Sequence, residues 1–255
     1  MLVIALCKGR FLEPSLATLV QAGIRFADDV ANSRKLIFDS EDGRFRVVLV
    51  KPADVPTYVE YGAADVGIAG RDVVMESGAD LLQPLDLNFG HCKIAVAALK
   101  KTRAKARDYI GDLPGNASSD DTFPNDADSN DTFPNNGSPN VVAGFSPRSE
   151  SPTVRVATKY PRITLEYFNA HGIPVEIIPL SGSIELAPLM GLSDRIVDVV
   201  ETGRTLKENG LEVVAVIAEI SARLLVNRAS YQTKRQDVLG LVHALEKVVQ
   251  CESST

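Results

Sequence analysis

Two acidic residues and a small-residue loop stand together near residue 200. Asp198 lies within an apolar run and Glu201 ends it, and the next residues are Thr202, Gly203, Arg204 and Thr205, which lead into a short helical pattern. A tight turn that opens a helix presents unpaired backbone N–H groups, and its glycine lets the backbone approach a ligand closely. Carboxylates at a strand end can accept hydrogen bonds from sugar hydroxyls or hold Mg²⁺ through water. The pattern predicts a site for a phosphorylated sugar, but an ordinary strand–turn–helix junction has the same short signature.

Charged residues follow three other predicted strands in the first third of the chain. They are Lys8, Gly9 and Arg10 in one loop, Lys51 in a second, and Arg71 with Asp72 in a third. The carboxyl ends of parallel strands lie along one edge of an open α/β sheet, where anions bind. We therefore expect these groups to converge, with Arg34 and Lys35 approaching from a neighbouring loop. For Lys8 and Arg10, two solvated loop charges explain the sequence equally well.

The elements that must position these groups alternate between strands and helices, which indicates an α/β fold. Strands are predicted at 2–6, 36–38, 46–50, 65–69, 93–99, 154–157, 175–178, 196–200 and 222–227. Pro14, Pro56 and Pro161 mark first helical turns, and one long helix is predicted over 231–249. Most of the candidate residues thus lie at or near the ends of predicted strands.

Composition excludes several classes of protein. The chain has 255 residues, 45% of them hydrophobic, with a net charge of −6 and an isoelectric point near 5.2. This balance argues against a general nucleic-acid or membrane-surface role. Three widely spaced cysteines, no signal-peptide pattern and no apolar run of membrane-spanning length predict a cytoplasmic protein.

A polar segment interrupts the pattern at about 104–152. It is rich in Asn, Asp, Ser, Gly and Pro, contains the repeat Asp-Thr-Phe-Pro-Asn at 121 and 131, and its part from 115 to 150 carries −5 of the net charge. Such a composition buries too little apolar surface to offset its ordering entropy, so we predict a disordered insert. The alternative is that Phe123 and Phe133 are paired docking anchors.

Several sequence motifs of the chain resemble those of the ATP phosphoribosyltransferase family. The resemblance is carried by SGSIELAPLMGLSD and DVVETGRTL in the second half, and by KGR, SRKLIF, KPADVPTYVEYGAADVGIAGRDV and LDLNFGHCK in the first. It covers about 2–99 and 154–249, which is nearly everything except the insert. The insert departs from the family pattern, in which a short loop joins the flanking strands.

This resemblance implies a two-lobed fold of the type II periplasmic-binding-protein kind, with the active site in the cleft between the lobes. It implies a discontinuous lobe I, 1–92 plus about 222–255, and a lobe II, 93–221, which contains the insert.

The resemblance also implies a reaction, the transfer of phosphoribose from phosphoribosyl diphosphate to N1 of the adenine of ATP in the first step of histidine biosynthesis. In this hypothesis residues 202–205 hold the 5-phosphate, and Asp198 and Glu201 hold the ribose hydroxyls. The catalytic cations Arg10, Arg34 and Lys51 neutralise the diphosphate and the ATP phosphates. Lys8, Gly9, Lys35, Asp72 and Glu185 bind ATP or support the site. No residue stands out as a general base.

Cofactor and partners follow from the same resemblance. Mg²⁺ is expected, although the sequence does not indicate its ligands. The chain stops soon after the predicted last helix, so it resembles the short form of the family. That form implies a homodimer that assembles with a regulatory subunit related to histidyl-tRNA synthetase.

Two other functions are compatible with parts of the sequence. A small-molecule binding module would share the two-lobed fold, but the chain shows neither a signal peptide nor a helix-turn-helix segment. A phosphoribosyltransferase that acts on a free base would share the TGRT loop, but would not need the KGR and SRK cations.

Overall fold

The computed structural model describes residues 1–100 and 153–252, and these form two lobes, each built on one β-sheet. The predicted insert, including Phe123 and Phe133, lies outside the described residues. The lobe boundaries that the sequence predicts stay our proposal. None of the helices in the described part of the chain is long and apolar enough to cross a membrane.

Lobe I contains a six-stranded sheet. Its strands are β1 (Leu2–Cys7), β2 (Ile37–Asp39), β3 (Phe45–Val50), β4 (Val66–Gly70), β5 (Leu82–Asp86) and β11 (Ala222–Val226), in the order β2-β3-β1-β4-β11-β5. Strands β3, β1 and β4 are parallel, so their carboxyl ends lie at one edge, whereas β2 and β11 pair antiparallel to their neighbours. Fully buried residues such as Ile4, Val47 and Ile68 fill the core.

Lobe II contains a five-stranded sheet. Its strands are β6 (Cys92–Leu99), β7 (Val154–Thr158), β8 (Val175–Pro179), β9 (Arg195–Val200) and β10 (Leu211–Ile220), in the order β10-β6-β9-β7-β8. Strands β7, β8 and β9 are parallel to one another. Strand β6 pairs antiparallel with both of its neighbours, β9 and β10. The carboxyl ends of β7 and β9 therefore share one edge, as those of β1, β3 and β4 do in lobe I.

Helices cover both sheets. They are α1 (Leu12–Gln21), α2 (Val55–Glu60), α3 (Arg71–Ser77), α4 (Pro161–Ala170), α5 (Leu186–Leu189), α6 (Arg204–Glu208), α7 (Arg228–Thr233) and α8 (Arg235–Glu252), with a 3₁₀ turn at Pro52–Asp54. Helix α8 packs Val238, Leu241 and Leu245 into the core of lobe I.

The sequence prediction of one helix over 231–249 is wrong, because the chain breaks the helix at Lys234. The Lys234 ammonium lies 2.8 and 2.9 Å from the two carboxylate oxygens of the buried Asp65. This ion pair anchors Lys234 where its backbone leaves helical geometry, with φ −120° and ψ 34°.

Strands β5 and β10 and helix α3 were absent from the sequence prediction.

Candidate active site in the interlobe cleft

A cleft lies where the strand ends of the two lobes face each other. Its larger cavity measures about 620 Å³, within the range of ligand pockets. Residues from both lobes line it: Lys8, Gly9, Arg10, Phe11, Pro52, Ala53, Asp72, Val73, Glu76, Ser77, Lys159, Tyr160, Asp198 and Val199. Apolar walls with a few charged groups suit a ligand that has both a flat apolar part and anionic groups.

A smaller cavity of about 250 Å³ adjoins it and shares Arg10, Asp198 and Val199 with it. The other residues that line it are Glu185, Val200, Glu201, Thr202, Gly203, Arg204, Thr205 and Leu206. The turn from β9 into α6 therefore forms one wall of the cleft. The residues that the sequence assigned to the 5-phosphate and the ribose hydroxyls all line this cavity.

The turn before α6 has the geometry of an anion loop. Gly203 has φ 71°, a left-handed conformation that favours glycine over other residues. Helix α6 has only five residues, so its dipole contributes less than the sequence pattern suggested. Backbone N–H groups and the hydroxyls of Thr202 and Thr205 supply the donors. The Arg204 side chain pairs with Glu208 at 2.8 Å, and the Arg204 backbone N–H donates a hydrogen bond to the Thr202 hydroxyl at 3.4 Å.

Arg10 links the two lobes. Its guanidinium lies 3.6 Å from the Glu201 carboxylate of lobe II and donates a hydrogen bond to the Sγ atom of Cys92 at 3.4 Å. It also lies over the ring of Phe11, 4.8 Å from the ring centroid. Burial lowers the pKa of Arg10, but Cys92 and the carboxylates of Asp72 and Glu201 more than offset this and raise it. Arg10 is therefore a fixed positive charge at the junction of the two cavities.

Asp198 is a half-buried carboxylate that points into the same junction. Burial raises its pKa most, while a 2.8 Å hydrogen bond from the backbone N–H of Val199 lowers it. The nearby Glu185 and Asp72 raise it further, and Lys159 lowers it. The net pKa lies above the ordinary value for an aspartate, so a hydrogen-bond donor or a cation would stabilise the charged form.

Asp72 is a buried carboxylate, 6% exposed. Its Oδ2 atom accepts a 3.0 Å hydrogen bond from the Tyr160 hydroxyl, whereas Oδ1 makes no hydrogen bond within the described part of the chain. Oδ1 lies over Gly70, where a β-carbon would collide with it. A buried acceptor that receives no hydrogen bond is costly.

Three predicted residues lie outside the walls of both cavities. Lys51 is exposed and directly precedes Pro52 and Ala53, which do line the larger cavity. Arg34 and Lys35 are exposed in the loop before β2, and Lys35 pairs with Asp28 at 2.8 Å. The parallel pairing of β1, β3 and β4 brings Lys8, Lys51 and Arg71 to one edge of the sheet. Arg34 is not among the residues that line either cavity.

The cleft also contains residues that sequence reasoning missed. Lys159 and Tyr160 follow the end of β7, and Glu76 lies on α3. A charged residue directly after a buried strand was the signal that identified Lys8 and Lys51, and the same signal occurs at Lys159. Glu76 gives no such signal, because it lies one turn into a helix that was not predicted.

The donor set of the cleft fits a metal ion that arrives with phosphate groups. Among residues 1–100 and 153–252 no three His, Cys, Asp or Glu side chains are grouped to hold a metal by themselves. Mg²⁺ commonly uses one or two carboxylates together with substrate phosphates and water. Asp198, which lines both cavities, provides such a carboxylate.

Comparisons with known proteins identify the family of the chain. The family model for ATP phosphoribosyltransferase matches residues 51–116 and 135–247. The chain is 45% identical over 248 residues to the ATP phosphoribosyltransferase of Geobacter metallireducens, which covers 97% of this chain and 98% of that protein. It is also 45% identical to the ATP phosphoribosyltransferase of Acidithiobacillus ferrooxidans, with 97% of each chain covered.

Solved structures place the fold in the same group. The ATP phosphoribosyl transferase (HisG:HisZ) complex from Thermotoga maritima matches with a TM-score of 0.71 and 32% identity, over 98% of this chain and 99% of that chain. The GluR0 ligand-binding core from Nostoc punctiforme, at 14% identity and a TM-score of 0.50, shares only the two-lobed fold. The family match and these identities show that the chain belongs to the ATP phosphoribosyltransferase family.

Proposed function

We propose that this chain transfers phosphoribose from phosphoribosyl diphosphate to N1 of the adenine of ATP and releases diphosphate. The observation that supports this most is the position of Arg10, which reaches from lobe I to within 3.6 Å of Glu201 at the phosphate loop of lobe II. A fixed cation there lies between a cavity suited to a phosphorylated sugar and a larger, partly apolar cavity.

The smaller cavity is the proposed site of phosphoribosyl diphosphate. Backbone N–H groups of residues 202–205 and the hydroxyls of Thr202 and Thr205 bind the 5-phosphate. Asp198 and Glu201 accept hydrogen bonds from the ribose hydroxyls. Glu185 lines the same cavity and contacts the ribose or the nucleotide.

The larger cavity is the proposed site of ATP. Phe11, Pro52 and Val199 offer apolar surface to the adenine, and Lys8, Gly9 and Arg10 lie where phosphates would bind. Asp72 lines the same cavity and supports the site. Lys51, Arg34 and Lys35 lie outside the cavity walls and act on the phosphates from there.

The reaction needs orientation and charge stabilisation more than a base. The lone pair of adenine N1 forms the new bond to the anomeric carbon, and the bond from that carbon to the diphosphate oxygen breaks. Because N1 needs no deprotonation before it attacks, no general base is assigned. Negative charge develops on the leaving diphosphate, and Arg10, Arg34 and Lys51 stabilise it. Mg²⁺, when bound with the diphosphate, supplies further charge neutralisation.

The proposed assembly is a homodimer that binds a regulatory subunit related to histidyl-tRNA synthetase. The Thermotoga maritima structure, whose title names a HisG:HisZ complex, supports this for a relative with 32% identity. Light scattering of the purified chain, alone and with such a subunit, tests the assembly. A monomer whose mass does not change on mixing would refute it.

Product formation tests the reaction directly. The purified chain is mixed with ATP, phosphoribosyl diphosphate and Mg²⁺, with and without the regulatory subunit, and phosphoribosyl-ATP is measured. We expect product in the complete mixture and none when either substrate is omitted. Intact binding of both ligands without product in any mixture would instead support a small-molecule binding module.

A further inference from the structure

Helices α3 of lobe I and α4 of lobe II make a contact that the reaction does not account for. Glu76 on α3 accepts hydrogen bonds from the backbone N–H groups of Arg162 and Ile163, at 3.0 and 3.1 Å, one to each carboxylate oxygen. The first N–H groups of a helix have no partner within the helix. Tyr160, at the N-cap of α4, makes no side-chain capping bond. The start of α4 is therefore capped by a carboxylate from the other lobe.

A second bond joins the same two helices. Asp72 lies one helical turn before Glu76, on the same face of α3, and accepts a 3.0 Å hydrogen bond from the Tyr160 hydroxyl. Asp72 and Tyr160 are each 6% exposed. Hydrogen bonds to a carboxylate are stronger than neutral ones, and water does not compete for this one. Two points of contact fix both the distance and the rotation between the helices.

Tyr160 is held rigidly within lobe II. Its backbone N–H donates to the Thr158 hydroxyl at 2.8 Å, and that hydroxyl donates to the Val197 carbonyl at 2.8 Å. Val197 directly precedes Asp198 in β9. A continuous set of buried hydrogen bonds thus connects Asp72 of lobe I to the strand that carries Asp198.

The rest of the structure gives the lobes freedom to move. In the described chain, backbone passes between the two sheets only at residues 87–91 and at Ser221. Lobes joined in this way open and close about the connecting segments unless contacts hold them. The packing at α3 and α4 is close, since a β-carbon on Gly78 would collide with the Arg162 guanidinium.

We propose that Tyr160 is a positioning residue, which with Glu76 sets the separation of the lobes through the contact between α3 and α4. The contact holds lobe I so that Arg10 lies at the phosphate loop of lobe II. This inference rests on the proposed function, because the alignment matters for phosphoribosyl transfer. The phosphate loop itself lies wholly within lobe II and does not depend on the contact.

The test compares Tyr160→Phe with a control variant, Tyr167→Phe. Tyr167 lies on α4, and within the described residues its hydroxyl makes no hydrogen bond. We expect Tyr160→Phe to lower kcat by about tenfold, the effect of losing one hydrogen bond to a charged group. Its dissociation constant for phosphoribosyl diphosphate, measured by calorimetry, stays within about twofold of the wild type. Small-angle X-ray scattering should show a larger radius of gyration than in the wild type.

Glu76→Gln gives a second and independent test. It removes the charge and leaves only one oxygen to accept the two N–H groups, so we expect the same rise in radius of gyration and the same fall in kcat. Tyr167→Phe should match the wild type in all three measurements.

The outcomes separate the contact from the reaction. Unchanged kcat and radius of gyration in both Tyr160→Phe and Glu76→Gln would overturn the inference. A fall in kcat without a change in radius would also overturn it, because Tyr160 would then act on the substrates directly. If even the wild type makes no phosphoribosyl-ATP, the proposed function fails, and the scattering comparison alone decides whether the contact sets lobe separation.

Discussion

The guanidinium of Arg10 and the carboxylate of Glu201 lie 3.6 Å apart, although 190 residues separate them in the chain. Both side chains keep substantial exposure, 45% and 67%, so the ion pair by itself contributes little to stability. Its significance is positional, since it brings a cation of lobe I to the proposed phosphate loop of lobe II.

Replacement of Arg10 should affect catalysis more than folding. We expect Arg10→Ala to lower kcat/KM by about 100-fold, as the loss of one preorganised charge-stabilising group does, with little change in the midpoint of thermal unfolding. Arg46→Ala is the matched control, because Arg46 also makes a partly exposed ion pair, with Asp39, but lies outside both cavities. Steady-state kinetics that gave equal values for Arg10→Ala and the control would contradict the assignment.

Arg34 provides a sharper test of the site, because it lies outside the cavity walls. If Arg34 stabilises the departing diphosphate, Arg34→Ala should lower kcat at least about tenfold. Arg25→Ala, another exposed arginine of lobe I, is the control. Turnover is measured at saturating concentrations of both substrates, and full activity of Arg34→Ala would remove this residue from the proposal.

Asp198 should show opposite effects on stability and activity. Its pKa is raised in the folded state, chiefly by burial, so between the unfolded and folded pKa values the native state binds more protons. Stability is therefore lost as pH rises through that range, and at pH 7 the charged Asp198 is destabilising. We expect Asp198→Asn to raise the midpoint of thermal unfolding at pH 7 by about 2–4 °C.

The same variant should lose activity, because the amide binds ribose hydroxyls less well than a carboxylate. Calorimetry of unfolding and the kinetic assay are performed on the same preparation. A variant that is both less stable and fully active would contradict both parts of this prediction.

Asp65 should contribute to stability without affecting catalysis directly. Burial raises its pKa, but hydrogen bonds from Lys234, Ser230 and the backbone of Val3 outweigh burial and lower it. A carboxylate whose pKa is lowered in the folded state stabilises the fold at pH values above its unfolded pKa, which is near 4. This contribution is lost as the pH falls through the folded pKa. We expect Asp65→Asn to cost about 2–3 kcal/mol at pH 7, less than for a fully buried pair because Lys234 is partly exposed.

Urea unfolding at pH 7 and at pH 3 measures the contribution of Asp65. The difference between wild type and Asp65→Asn should shrink at the lower pH, because the unfolded chain then takes up a proton at Asp65 that the native state binds more weakly. Asp39→Asn, which breaks an exposed ion pair, should shift the midpoint much less at either pH.

Tyr160 should make the fold sensitive to alkaline pH. Burial, followed by the charge of Asp72 and the hydrogen bond to it, raises the pKa of Tyr160 well above its ordinary value of 10.0. Above that value the unfolded chain loses the proton while the native state keeps it, so stability falls as pH rises. Between about pH 9.5 and 11, we expect the free energy of unfolding to decline less steeply with pH in Tyr160→Phe than in the wild type. The difference in slope should correspond to on the order of one fewer proton released on unfolding. Parallel declines would show that Tyr160 ionises normally.

The sequence by itself identified groups that a local pattern defines. The turn at 202–205, where we propose that phosphate binds, follows from a glycine between a strand and a helix, and Gly203 has φ 71°. Lys8 and Lys51 follow buried strands, and β1 and β3 are parallel, so both charges lie at one edge. Such features depend on backbone geometry within a few residues, which the residue types control directly.

Only the tertiary structure decided which of these groups meet. The pairing of Arg10 with Glu201, the bond from Tyr160 to Asp72 and the capping of α4 by Glu76 each join residues from different lobes. No local spacing encodes such contacts, because they depend on how two separately packed sheets are oriented. The break at Lys234 has the same origin, since a long-range ion pair with the buried Asp65 competes there with a helical pattern that is locally continuous.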